Sequence, residues 1–355
     1  MYFHSSFKLN GRSFASSSDI QKFTKNISGK VHDFLYDWFD SNKFIIVKTS
    51  GSTGKPKYIK LKKEFMINSA KATGEFFQLY ENTTALLCMS VDYIAGKMML
   101  VRAMVLGWNI DIVQPIANPL ASTKKSYDFA AMVPLQLQAS LKDLNKLKKI
   151  IVGGGVVNND TLKQLQNFST EVFATYGMTE TVTHVAVKKL NGFISNIEKT
   201  CYEALTGISF EKDDRGCLVI HAPKISEEIV VTNDIIKLYS NSSFEWVGRY
   251  DNIINSGGIK LNPEVIEEKL VQIILRRFFV MGIPDKVLGQ KLILIIEGEE
   301  VNMNLSDLKK KIDNLEILGR YEKPKEIYVI SKFVETDTQK IQRKKTMNLI
   351  LESKS

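Results

Sequence analysis

The sequence predicts an α/β fold: a large N-terminal domain of helix-covered sheets with a small β-barrel-like part (1–251), and a small C-terminal α+β domain (252–355). Three observations lead there. Apolar strand-like runs alternate with amphipathic helical stretches from about 44 to 152, the pattern of parallel strands covered by helices. Between about 206 and 248 the pattern turns to short strands broken by turn residues. Beyond 250 helices and strands alternate again, and 355 residues are enough for two domains.

Residues 1–43 hold a short strand and one helix near 29–39, where Val31, Phe34, Leu35 and Trp38 share a face. Phe44-Ile45-Ile46-Val47 reads as a strand and Tyr58-Ile59-Lys60-Leu61 as a second one. Residues 62–80 read as a helix, 84–91 as a buried strand, 95–106 as an apolar helix and 109–113 as a strand. A helix over 135–148 leads into a strand at 149–152. Residues 160–168 are helical, 171–175 and 182–187 extended. Short strands follow at 216–221, 229–232, 235–239 and 244–247. In the last hundred residues helices are expected at 263–276 and 305–315, with strands near 278–283, 291–297 and 326–331. No internal repeat or low-complexity segment is visible.

Composition narrows the class. Hydrophobic residues make up 44% and charged residues 25%, which suits an ordinary globular protein. The net charge of +9 is spread along the chain, with one short basic cluster at Arg343-Lys344-Lys345, and no zinc-finger or RNP-like motif accompanies it. Nucleic acid is therefore not the expected partner, whereas an enzyme handling several anions gains from such a surplus. Cys88, Cys201 and Cys217 are widely spaced, and a reduced, cytoplasmic protein is expected. The four histidines lack metal-ligand spacing, and no apolar run approaches the roughly 18 residues of a membrane span.

Between the strands at 44–47 and 58–61 lie Thr49, Ser50, Gly51, Ser52, Thr53, Gly54, Lys55, Pro56 and Lys57. Glycines let backbone N–H groups approach an anion, hydroxyls add donors, and Lys57 adds a compact charge, so the loop suits a polyphosphate. A Walker A loop is excluded, because Pro56 follows Gly54-Lys55 where that motif needs Ser or Thr. A surface hairpin of the same composition is the plain alternative. Gly153-Gly154-Gly155 end a strand in a way that admits a flat ligand or a neighbouring backbone, and they do not fit G-x-G-x-x-G.

The run Ser50–Lys57, S-G-S-T-G-x-P-K, resembles the phosphate loop of the adenylate-forming superfamily of acyl-CoA ligases, adenylation domains and luciferases. Tyr176-Gly177-Met178-Thr179-Glu180 is similar to that family's Y-G-x-T-E. The resemblance implies that Tyr176 packs on adenine, that Thr179 reaches the phosphates, and that Glu180 holds Mg²⁺, which favours hard oxygen ligands. Gly153–Gly155 would border the adenine. Thr232-Asn233-Asp234 resembles T-G-D, with Asn233 in the glycine place, and Asp234 would accept from the ribose hydroxyls. The run 248–261 resembles G-R-x-D-x-x-x-x-x-x-G-x-[RK]-[IL]. It implies Arg249 on ribose or phosphate, Asp251 as the hinge, and Gly257, Gly258 and Lys260 along the coenzyme A path. Lys340 resembles the lysine of the terminal P-x-T-x-x-G-K-[IV]-x-R, although Gln339 replaces the glycine and Val334 the proline.

The resemblance spans residues 49 to 343 and implies an enzyme that uses ATP, Mg²⁺ and coenzyme A. A carboxylate would attack the α-phosphate to give acyl-AMP and pyrophosphate, and a thiol would then displace AMP. Lys340 would serve the first half-reaction and the Gly257-Gly258 loop the second. Forty-eight residues precede Thr49, fewer than relatives usually carry, so a shortened N-terminal region is expected. Tyr93, Lys97 and Arg102 resemble the segment lining the acyl pocket, and Thr183 and His184 would edge it. Two cations on a pocket helix suit a second carboxylate, or else form a solvated face. With the run 176–187 these features look most like the o-succinylbenzoate–CoA ligases of menaquinone biosynthesis, whose substrate is an aromatic dicarboxylate. Another acyl-CoA ligase, or an adenylating enzyme that loads a carrier protein, would share every ATP motif. A basic nucleic-acid-binding protein would show salt-sensitive binding and no ATP turnover.

Overall fold

The computed structural model describes residues 3–48, 58–193, 201–299, 304–336 and 341–352. The chain divides into two compact units, one of residues 1–211, 219–231 and 238–245, the other of 212–218, 232–237 and 246–355.

The first unit begins with β1 (Lys8–Leu9), β2 (Arg12–Ser13), α1 (Ser17–Thr24) and α2 (Gly29–Phe39). Helix α1 is absent from the sequence-based expectation, although Ser16 caps it by accepting from the Asp19 amide. β3 (Phe44–Lys48) and β4 (Tyr58–Lys62) pair antiparallel, with Val47 opposite Ile59. Then come α3 (Lys63–Phe77), β5 (Thr84–Leu87), α4 (Ile94–Leu106), β6 (Asn109–Ile112) and β7 (Tyr127–Met132). α5 (Pro134–Ala139), β8 (Leu147–Val152), α6 (Asn159–Leu165), β9 (Glu171–Gly177), β10 (His184–Lys189) and β11 (Cys201–Ala204) complete the succession. The single helix expected over 135–148 is two pieces. Buried Ser140 closes α5, its amide donating to both Gln136 and Leu137 carbonyls, and a 3-10 turn over Leu141–Lys146 leads into β8.

Strand order in this unit is β11-β10-β9-β8-β7-β5-β6-β1-β2. From β9 to β1 neighbours run parallel; β10, β11 and β2 are antiparallel to theirs. β6 lies on one side of β5 and β7 on the other, so the strand succession reverses there. A reversal of this kind leaves a crevice outside the carboxyl ends of the strands, where α/β sheets take ligands. The sheet is held by an apolar core in which Leu86, Ala130, Met132, Ile150, Val152 and Val172 pack with Leu137 of α5 and Leu165 of α6.

The short strands expected between 206 and 248 are β12 (Ser209–Lys212), β13 (Cys217–His221), β14 (Val230–Ser240) and β15 (Ser243–Arg249). The two segments read apart at 229–232 and 235–239 are one strand, β14. The second unit continues with β16 (Ile254–Ser256), β17 (Ile259–Leu261), α7 (Pro263–Leu270), β18 (Phe278–Asp285), β19 (Gly289–Glu297), α8 (Leu305–Asp313), β20 (Glu326–Ile330) and α9 (Arg343–Glu352). β19 is covered on both faces. Leu292, Leu294 and Ile296 pack with Ile266, Leu270 and Ile312, while Ile293 and Ile295 pack with Phe279, Phe333, Met347 and Ile350. Period-two alternation sends successive side chains to opposite faces, which is why the whole run Leu292–Ile296 is apolar.

Candidate active site

In the first unit, several residues singled out by sequence hang from the carboxyl ends of neighbouring parallel strands. Tyr93 caps α4 just beyond β5, Gly153, Gly154 and Gly155 follow β8, and Tyr176 and Gly177 end β9. The topology therefore gathers one rim. Tyr176 is half-buried, its ring edge-on to Phe244 at 5.2 Å and to Tyr202 at 5.8 Å. Gly177 pairs with His184, and a Cβ there would lie 2.2 Å from the Thr183 carbonyl oxygen, so only glycine lets β10 approach so closely.

Met178 leads into a 3-10 turn over Thr179–Thr181. The buried Thr181 hydroxyl accepts from the Met178 amide at 3.1 Å and donates to the Thr183 carbonyl at 2.9 Å, which locks the turn. Val182 then sits at φ 65, ψ −60, with the Thr183 amide donating to the Thr181 carbonyl at 2.7 Å. That is the strained γ-turn, rare for a β-branched residue. The turn leaves Glu180 exposed, with no hydrogen-bond or ion-pair partner among the described residues. A lone exposed carboxylate of this kind fits Mg²⁺, which takes one or two carboxylates and fills its shell with phosphates and water.

Behind the rim lies a buried polar cluster. Arg102 is 1% exposed. Its Nε donates to Thr73 Oγ1 at 3.3 Å, one terminal nitrogen faces His184 Nδ1 at 3.4 Å, and the other faces Met99 Sδ at 3.8 Å. Burial lowers its pKa to about 9, so it stays a cation at neutral pH. Among the described residues no carboxylate pairs with it. His184 is buried too, and burial, then the neighbouring guanidinium, hold its pKa well below the ordinary value. Its Nδ1 therefore accepts from Arg102 and its Nε2–H donates to Thr73 Oγ1 at 3.4 Å. Thr183 lies against the same ring at 3.4 Å. Sequence reasoning missed Thr73, which sits inside α3 without any local signal. Lys97 turns elsewhere: its Nζ lies 4.9 Å over the Phe34 ring, and burial lowers its pKa against the pull of Asp92 and Asp37. The two cations of α4 thus do not converge.

In the second unit, Asp234 is buried, its Oδ1 accepting from Trp246 Nε1 at 3.1 Å and from Arg249 at 3.4 Å. Arg249 also reaches Asp251 at 2.9 Å; burial opposes its charge, and the two aspartates outweigh burial and raise its pKa. Asn233, in the place of a family glycine, donates to both Asp251 oxygens and accepts from Arg215 at 2.8 Å. Gly257 and Gly258 form the two-residue turn between β16 and β17, both with positive φ (59 and 83), the geometry a tight hairpin demands. Lys260 is exposed on β17. The phosphate-loop residues Thr49, Ser50, Gly51, Ser52, Thr53, Gly54 and Lys57, and Lys340, lie outside the described residues.

Comparison with known proteins completes the picture. Residues 37–208 match the family model described as AMP-binding enzyme. The chain is 38% identical to a solved structure, an acyl-CoA synthetase (AMP-forming)/AMP-acid ligase II-like protein from Dyadobacter fermentans, covering 90% of this chain and 93% of that one with a TM-score of 0.60. The 2-succinylbenzoate–CoA ligase of Lactococcus lactis is 24% identical over 330 residues, 87% of this chain and 71% of its own length. The o-succinylbenzoate CoA synthetase of Bacillus subtilis, solved with its acyl-adenylate intermediate, shares the fold at 19% identity and a TM-score of 0.73. No helix among the described residues is long and apolar enough to cross a membrane.

Proposed function

Because the chain belongs to the AMP-binding enzyme family of AMP-forming acyl-CoA synthetases, we propose that it joins o-succinylbenzoate to coenzyme A, with cleavage of ATP to AMP and pyrophosphate, as a step of menaquinone biosynthesis. It is an AMP-forming acid–thiol ligase, and the proposal extends to a cytoplasmic location. Curated relatives named for 2-succinylbenzoate support the substrate.

The observation that carries the substrate is Arg102. A guanidinium has five N–H donors, and among the described residues they face only a hydroxyl, a sulfur and a neutral imidazole. A buried charge without a counter-charge costs the fold several kcal/mol, by roughly the penalty for any unpaired buried ion. A dicarboxylate would supply that counter-charge with one carboxylate while the other is activated.

Activation brings two anions together, so cations carry it. Lys57 and the hydroxyl-rich loop cradle the polyphosphate, and Thr179 donates to it. Tyr176 and Gly153–Gly155 border the adenine, and Asp234 with Arg249 takes the ribose. Mg²⁺ held by Glu180 would neutralise phosphate charge. Lys340 bridges the attacking carboxylate and the α-phosphate oxygens as charge shifts between them. No protein nucleophile is needed. Gly257, Gly258 and Lys260 then border the thiol's approach, with the small domain turning about Asp251 between the half-reactions.

Steady-state kinetics test the Arg102 assignment. The wild type should prefer o-succinylbenzoate over its analogue lacking the ring carboxylate by about 10- to 150-fold in kcat/KM, from the roughly 1.5–3 kcal/mol of hydrogen bonds to a charged group. Arg102→Met should erase that preference and leave the KM for ATP unchanged. Equal preference in both proteins contradicts the assignment.

A further inference from the structure

The terminal motif carries a second cation, Arg343, three residues after Lys340, and no role in the reaction has yet been given to it. Its guanidinium is held from every side. One terminal nitrogen lies 2.9 Å from Glu267 Oε1 and donates to the Val280 carbonyl at 3.0 Å, and the other donates to Glu267 Oε2 at 3.0 Å. The ring of Phe279 lies 5.6 Å from its central carbon. Glu267 is fixed in turn, its Oε1 accepting from the Val280 amide at 2.8 Å. This is the two-pronged grip that a planar guanidinium makes on a carboxylate and a lysine cannot.

The grip stands beside an isolated antiparallel bridge. Glu335 and Ile341 form an antiparallel bridge, the Gln342 amide donates to the Val334 carbonyl at 2.8 Å, and the Val334 amide donates to Thr346 Oγ1 at 3.1 Å. Arg343 comes next in the chain and opens α9, so it anchors the junction between that bridge and the helix, three residues after Lys340 in sequence. Burial raises the Glu267 carboxyl to about 7, although Arg343 and the Val280 amide lower it.

Glu264, one turn earlier on α7, extends the arrangement. Its Oε1 lies 3.7 Å from Arg343 and accepts from Asn252 Nδ2 at 2.6 Å, while its Oε2 is buried with no hydrogen-bond partner. Arg343 therefore faces two half-buried carboxylates of one helix and grips one of them.

We propose that Arg343 is a positioning residue for the adenylate-forming half-reaction: gripped by Glu267, it fixes the point from which Lys340 is presented. The inference rests on the reading of Lys340 as the adenylation lysine. A reacting group displaced by about 1 Å loses on the order of 100-fold in rate. The thiol-transfer half-reaction, which does not use Lys340, is insensitive to the same loss.

The test separates the half-reactions in the full chain. Pyrophosphate release is followed with ATP, Mg²⁺ and o-succinylbenzoate, and thioester formation with coenzyme A and synthetic o-succinylbenzoyl-adenylate. Arg343→Gln should lower the first about 100-fold and keep the second within about threefold of wild type. Arg343→Lys should recover only part of the first. Should Arg343→Gln fail to fold, Glu267→Gln, nearly isosteric, carries the test with a loss of about tenfold in the first half-reaction alone. Equal losses in both half-reactions, or none, overturn the inference. A wild type that releases no pyrophosphate overturns the reading beneath it instead, and the two failures are told apart by that control.

Discussion

Arg102 and His184 share one buried cluster but affect the protein in separable ways. An unpaired buried cation weakens a fold, and exchanging it for an apolar chain of similar volume is neutral or stabilising. Arg102→Met should therefore leave Tm unchanged or raise it even as the preference for a dicarboxylate is lost; a residue kept for packing would show a fall in Tm. His184 gives a pH signature. Its pKa lies well below 6.5 in the fold, whereas the unfolded chain titrates near that value. Below it the unfolded chain takes up a proton that the fold refuses, so stability present above pH 6.5 is lost as pH falls. Urea midpoints at pH 7.5 and 5.5 should drop less in His184→Gln than in the wild type, and equal drops would contradict the assignment. The sequence marks Arg102 and His184 by position but not their burial. Nothing local marks Thr73, the hydroxyl that joins them, because the contact brings α3 together with α4 and with β10, 111 residues further along the chain.

Elements with their own local signal were the legible ones. Gly257-Gly258 reads as a turn, and the β16–β17 hairpin is closed by that turn. No atom lies within 4 Å of a Cβ placed on Gly258, so Gly258→Ala should cost about 1–2 kcal/mol of stability through positive φ alone. A much larger loss in thioester formation than in adenylate formation would mark the turn as part of the thiol's path; equal small losses would leave it a plain hairpin. The parallel strands β5 and β8 carry apolar runs visible in the sequence, and β6 shows as the alternation Asn109-Ile110-Asp111-Ile112. β7, Tyr127–Met132, was missed; its Asp128 carboxylate accepts from the Thr84 amide and hydroxyl on the neighbouring strand, a partner the local sequence does not show. α9 was missed because Arg343-Lys344-Lys345 reads as solvated charge, while its apolar face, Met347 and Ile350, finds its partners on β18 and β19. The strained turn at Val182 has no sequence signal at all; β10 packing against β9 imposes it.

At the scale of the whole molecule, the surplus of positive charge, the rim at the carboxyl ends of parallel strands and the second unit with its terminal motif serve one account: polyanions meet here and are joined. Lys340→Ala should reduce pyrophosphate release by roughly 100-fold or more, the loss expected when a group stabilising transition-state charge is removed, while thioester formation from preformed adenylate persists. The most direct measurement is mass spectrometry of the products after the protein meets ATP, Mg²⁺, coenzyme A and o-succinylbenzoate. The account predicts AMP, pyrophosphate and the o-succinylbenzoyl thioester of coenzyme A in equal amounts. ATP left intact, or AMP formed only with a monocarboxylate, would contradict it.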